Sequence, residues 1–100
     1  MARTTYQHDR VTALEIDGQP VPIASAELAR MSTLDGDDEV IHFEWEVSGR
    51  TQAEIHAGVH AFSMTVRGRR LTQRGIFRES HAEGWTVFKI VGLDELRPID

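Results

Sequence analysis

His56 and His60 stand four residues apart, the interval at which two imidazoles on one helix face can share a zinc ion. Their context withholds the rest of that chemistry. In Ala53-Glu54-Ile55-His56-Ala57-Gly58-Val59-His60 no Glu stands beside the first His, where a metalloprotease helix would carry its base, and Gly58 disfavours a helix. On a strand the two rings would lie about 13 Å apart, too far for one metal. His8, His42 and His81 have no ligand-like spacing. The run Asp35-Gly36-Asp37-Asp38-Glu39 suggests a calcium loop, but an EF-hand needs Gly at its sixth position and Glu at its twelfth. Counted from Asp35, the twelfth residue is Glu46 but the sixth is Val40, so a solvated turn is the better reading. Ser, His and Asp occur without a nucleophile-elbow sequence, and the glycines never cluster as a phosphate loop requires. The expectation is therefore a protein without catalytic, cofactor-binding or metal residues, and not an enzyme.

Charge carries the stronger signal. Six carboxylates (Asp35, Asp37, Asp38, Glu39, Glu44, Glu46) fall between residues 35 and 46 with no Lys or Arg among them. Five arginines (Arg67, Arg69, Arg70, Arg74, Arg78) fall between 67 and 78 with no carboxylate. The net charge of −5 conceals this segregation. Separated charge selects partners and speeds encounter without choosing a fold. These are the candidate acidic and basic interaction faces. Arg70, Arg74 and Arg78 share a face in either secondary structure, about 13 Å apart in a strand or about 6 Å apart in a helix. The helical interval is nearer the phosphate spacing of a nucleic acid, yet Thr72, Gly75 and Ile76 disfavour a helix.

Three functional readings follow. The leading one is a small interaction or assembly module using both charged faces, including self-assembly as a structural subunit by head-to-tail contact. The alternative is a heterotypic acidic binder or inhibitor of a larger basic partner, with charge setting on-rate and specificity. The third is nucleic-acid binding through Arg67–Arg78; overall acidity and the lack of a recognition motif weigh against it.

Composition bounds the class. One hundred residues make one domain, and 40% hydrophobic with 27% charged residues is ordinary for a folded chain. No cysteine is present, so disulfides, thiolate metal sites and a Cys nucleophile are excluded. The first twenty residues contain no apolar signal-peptide core and no stretch is long enough to cross a membrane as a helix, so a cytoplasmic location is expected.

The elements that must position these residues read as mainly β, on the border of α+β: one small antiparallel sandwich or barrel-like domain. Residues 1–9 and 94–100 are expected to be flexible termini. Val11–Ile16 predicts a strand, Asp17-Gly18 a hairpin turn, and Gln19–Ile23 an edge strand, because Pro20 and Pro22 cannot donate to a ladder. Ser25 suggests an N-cap for one short helix near 25–31, with Leu28 and Met31 inward. In Val40–Val47, Ile41, Phe43, Trp45 and Val47 alternate with His42, Glu44 and Glu46, the pattern of a half-buried strand. Ser48-Gly49-Arg50 predicts a turn and Thr51–Ala57 a strand. A bulge or turn near Gly58–Ala61 would reconcile Val59 and Ala61 with Phe62, Met64 and Val66. Arg67-Gly68 predicts a turn, Arg69–Ser80 a strand, His81–Gly84 a hairpin, and Trp85–Val91 a central strand. Both tryptophans are assigned to the core.

Overall fold

The computed structural model describes residues 2–99. Among them the chain is mainly β and antiparallel, with no helix: β1 (Arg3–Ile16), β2 (Gln19–Val21), β3 (Ser25–Leu34), β4 (Val40–Thr51), β5 (Gly58–Val66), β6 (Arg69–Ala82), β7 (Trp85–Gly92) and β8 (Arg97–Pro98). The hydrogen-bonded order is β2-β1-β3-β4-β7-β6-β5, and β1 also pairs with β5. That last pairing returns the sheet to its start, so β1, β3, β4, β7, β6 and β5 close a ring. β2 remains outside it, bonded among the described residues to β1 alone, where Pro20 is tolerated.

Three tight connections follow one rule. Asp17-Gly18, Arg67-Gly68 and Glu83-Gly84 all have both residues at positive φ. This is the type I′ requirement, and its twist matches that of the flanking strands. Inside the ring, Phe62, Phe77, Leu28, Met64, Ile90 and Val47 are fully buried, and Phe77 stacks on Phe88 at 5.4 Å between centroids.

Several local expectations are corrected. The helix near 25–31 is instead the first part of β3. Ala26 and Leu28 are buried while Glu27 is exposed, a period of two, and β1 and β4 take up the backbone groups on both edges. A six-residue helix had little stability of its own to set against those ladders. Ser48-Gly49-Arg50 is not a turn: β4 runs on to Thr51. Gly49 serves close approach there, since a Cβ would meet the Ser25 carbonyl oxygen and lie 2.7 Å from the Phe88 ring. Residues 52–57 form a loop rather than a strand. The Thr51 hydroxyl starts it, donating to the Pro22 carbonyl at 2.5 Å and accepting from Ala53 N–H at 3.0 Å. No bulge interrupts Gly58–Ala61, because β5 pairs with β6 in continuous register from Gly58. Val59 and Ala61 simply face outward. At the chain ends, Arg3–Arg10 pair with β3, and β8 pairs with β6 while Leu96 packs on the core.

The ring is uneven in height. β1 bonds to β3 through Arg3–Arg10 but to β5 only from Val11 onward. β4 bonds to β3 along nearly its whole length but to β7 only from Glu46 onward. The first half of β1, the second half of β3 and the first half of β4 therefore project past the ring as a three-stranded blade. The molecule measures 47 × 30 × 22 Å.

Candidate functional site

Strand β4 links ring and blade, and its inward-facing side chains record where the core ends. Val47 is 0% exposed and Trp45 5%, but Phe43 is 36% and Ile41 58%. The alternation holds through Phe43 and is interrupted by a bulge at Ile41, where the β3–β4 register shifts between His42 and Val40; the covering layer runs out over the same stretch. Trp45 is the last residue the chain covers. Its indole N–H donates to the Asp94 carbonyl at 2.5 Å, and its ring lies on the backbone at Gly92. Beyond it, Val40 and, on β1, Tyr6 add to the uncovered apolar surface of the blade.

A polar knot fixes the blade's root. Asp9 has a side chain 3% exposed. Its Oδ2 accepts from Gln7 Nε2 at 3.0 Å and Arg30 Nη2 at 3.2 Å, and its Oδ1 forms an ion pair with Arg67 Nε at 2.7 Å. A buried carboxylate is tolerated because donors surround it. Arg30 Nε is buried and has no hydrogen-bond partner among the described residues. On one face of the blade, Thr5, Gln7, Arg30, Phe43, Trp45 and Leu96 line a cleft of about 150 Å³. On the other, Tyr6, His8, Met31, Glu44, Trp45 and Val91 line a groove of about 400 Å³. Arg30, Met31, Glu44 and Trp45 border both.

The outer edge of β4 is open. Among the described residues, nothing pairs with Val40–Trp45 on the side away from β3.

The charged residues singled out by sequence fall as follows. Arg67 sits in the β5–β6 turn on Asp9, and Arg70 pairs with Glu15 at 2.6 Å. Arg70, Arg74 and Arg78 share the outer face of β6, which is a strand, so the wide spacing applies. Arg69, Arg74 and Arg78 form no ion pair among the described residues. In the acidic segment, Asp35 Oδ1 accepts from Asp37 N–H at 2.8 Å and Glu39 N–H at 3.0 Å, closing the loop at the blade's tip. Asp38 pairs with Arg3 at 2.8 Å, Glu44 meets His42 at 3.0 Å, and Glu46 lies 3.6 Å from Lys89. Lys89 is opposite Arg78 on one side and Ser48 on the other. The acidic strand and the arginine strand thus adjoin one outer wall with Lys89 between them.

The histidine pair forms a clasp. His60 Nδ1 lies 2.6 Å from Asp17 Oδ2, and Nε2 lies 2.6 Å from the His56 carbonyl oxygen. The carbonyl and the ionised carboxylate both accept, so this geometry favours the imidazolium form, in which both ring nitrogens donate. The hydrogen bond to Asp17 raises the His60 pKa, with the His56 carbonyl adding to it; the same bond lowers that of Asp17. His56 contributes its backbone, not its ring. The clasp ties the β1–β2 turn to β5. No three His, Asp or Glu side chains come together as a metal site among the described residues.

Sequence reasoning missed the blade, Tyr6 and the Asp9 knot. The β4 alternation was a usable signal for the strand, but it carries no information about where the cover stops. A lone Asp between His8 and Arg10 gives no signal at all.

Comparison with protein-family models, curated proteins and solved structures found no match.

Proposed function

We propose that this protein is a non-enzymatic assembly module whose blade is its contact surface. The observation that carries this reading is the unfinished burial of β4: Phe43 continues the core-facing alternation of Trp45 and Val47 yet is 36% exposed, and Ile41, in the bulge beyond it, is 58% exposed, both beside an open strand edge. Apolar positions on an open edge are the feature monomeric β proteins suppress with charge, proline or bulges. β2 has such protection in Pro20, with Pro22 just past its end; on β4 the bulge at Ile41 ends the regular edge, but Phe43, between that bulge and Trp45, is apolar and uncovered. Contact at the tip removes that apolar surface from water. The flanking charges, Asp37 and Glu39 beside it and Arg74 and Arg78 on the ring wall, supply orientation and partner choice more than affinity.

The test is the mass of untagged protein by sedimentation from dilute to high concentration, at low and moderate salt. The reading predicts a defined multiple of the chain mass that Ile41→Lys reduces to monomer. A mass that stays monomeric throughout overturns self-assembly. Association abolished by replacing Arg74 and Arg78 with Ala, but untouched by Ile41→Lys, would move the contact to the arginine wall, where a nucleic-acid partner becomes the reading to pursue.

A further inference from the structure

We propose that the partner of the blade is a second copy of the same chain, joined by antiparallel pairing of the two β4 edges about a two-fold axis at Phe43. This inference rests on the assembly reading above and specifies its geometry.

The choice of edge follows from the alternatives. β2 is blunted by Pro20 within it and Pro22 just after it. The open stretch of β1, Arg3–Asp9, carries Tyr6 as its one large apolar residue, among charged and polar neighbours. β4 carries Val40, Ile41 and Phe43, all exposed.

The backbone is set for pairing. The Arg50 carbonyl accepts from Ala24 N–H at 2.9 Å, so Arg50 turns its backbone groups toward the β3 side. Successive residues alternate in this respect. The even-numbered residues of β4 therefore bond toward β3; Phe43 directs both N–H and C=O to the open edge, while at Trp45, next to the Glu46–Val91 pair, only the N–H is left open. Two odd-numbered residues facing each other across an antiparallel pair exchange both of their bonds.

Side chains select the register. With Phe43 opposite Phe43 of the second copy, His42 stands opposite Glu44, and Glu44 opposite His42, so an imidazole and a carboxylate face each other twice. Moving the register by two residues, to His42 opposite His42, sets Glu44 against Val40 and loses both matches. Moving it by one puts inward side chains against outward ones. A limit is also built in. The β3–β4 register shifts between His42 and Val40, leaving Ile41 in a bulge, which ends regular pairing there. An isologous contact uses the edge up, so the product is a closed dimer and not a fibre.

The chain has no cysteine, so single-Cys variants of the full protein report only on the site introduced. In the proposed register, Phe43→Cys faces itself at a Cα separation of about 5.5 Å, within the range of about 4.4–6.8 Å that a disulfide spans. Ile41→Cys is offset from its own copy by four residues, about 13 Å. Under mild oxidation, Phe43→Cys should form the disulfide dimer at least ten-fold faster than Ile41→Cys. Because Phe43→Cys removes a contact residue, a second experiment keeps Phe43: an equal mixture of His42→Cys and Glu44→Cys should cross-link to each other in preference to themselves. Self-linking of His42→Cys above the mixed product, or equal rates at all sites, overturns the register. If the wild-type mass is then still a multiple that Ile41→Lys dissolves, the assembly reading stands without this geometry. A monomeric wild type removes both.

Discussion

Gly92→Ala is a sensitive probe of how the blade is anchored. Gly92 is not at positive φ, so alanine fits the backbone, and in open space the change would stabilise the chain by about 0.4–1 kcal/mol through the unfolded state. Trp45 reverses that sign. A Cβ at residue 92 would overlap the indole at Cε2, Nε1 and, at 2.6 Å, Cδ2. The ring would have to retreat by about 1 Å to reach ordinary contact. It is held by its N–H bond to Asp94 and is 5% exposed. Overpacking of this kind costs about 1–3 kcal/mol, and losing the indole bond about 0.5–1.5 kcal/mol more. After the backbone gain, the net is a destabilisation of about 2 kcal/mol. For a domain of this size, that lowers the midpoint by roughly 8–16 °C. Thermal unfolding by circular dichroism reads the midpoint, and in a Trp85→Phe background the fluorescence of Trp45 alone reads ring displacement as a red shift. In a Trp45→Leu background the same substitution should have little effect, because the collision partner is gone. An unchanged or raised midpoint with unshifted emission would refute the packing described.

Other predictions concern the clasp, the knot and the tip. The His60 pKa is raised in the folded state, so its contribution to stability is complete below the unfolded value near 6.5 and is lost as pH rises through the higher folded value. That of Asp17 is lowered, so its contribution is present above the unfolded value of 3.8 and is lost as pH falls through the lower folded one. Midpoints measured across pH should show the alkaline shoulder in wild type and not in His60→Phe. Asp9→Ala strands Arg30 and Arg67; because both guanidiniums reach water, the loss should be about 2–3 kcal/mol, below the 3–5 kcal/mol of a fully buried pair, by urea unfolding. Ile90→Ala, at a position fully buried in the ring, should cost about 2–5 kcal/mol in the same assay. Ile41→Lys should leave the stability of the dissociated chain within about 0.5 kcal/mol while abolishing association, separating a contact residue from a core one.

The sequence carried the local rules well where one element decided the outcome. Asp17-Gly18 and Arg67-Gly68 were readable because a two-residue turn with both φ positive is a local requirement. The alternation of Val40–Val47 was readable because period two is imposed by the pleat. Readings failed where a neighbour decided. Ser25–Met31 has a serviceable cap and an inward pair at helical spacing, yet two flanking strands claim its backbone. Gly49 has turn composition, but its role is to admit the Ser25 carbonyl and the Phe88 ring, which are remote in sequence. The same limit governs the site. The acidic and basic runs were visible as composition, whereas the ion pair of Asp9 with Arg67, the wall shared by Glu46, Lys89 and Arg78, and the missing cover over Ile41 depend on which strands become neighbours.

The blade's central claim is best tested by residue-resolved amide hydrogen exchange on β4 at low and high protein concentration. His42 and Glu44 bond to β3 in a single chain, so their protection should be nearly independent of concentration. Phe43 and Trp45 face the open edge, and the account predicts that their protection rises steeply as concentration increases. Exchange at Phe43 that stays fast and independent of concentration, at levels where the other β4 amides are protected, would contradict it.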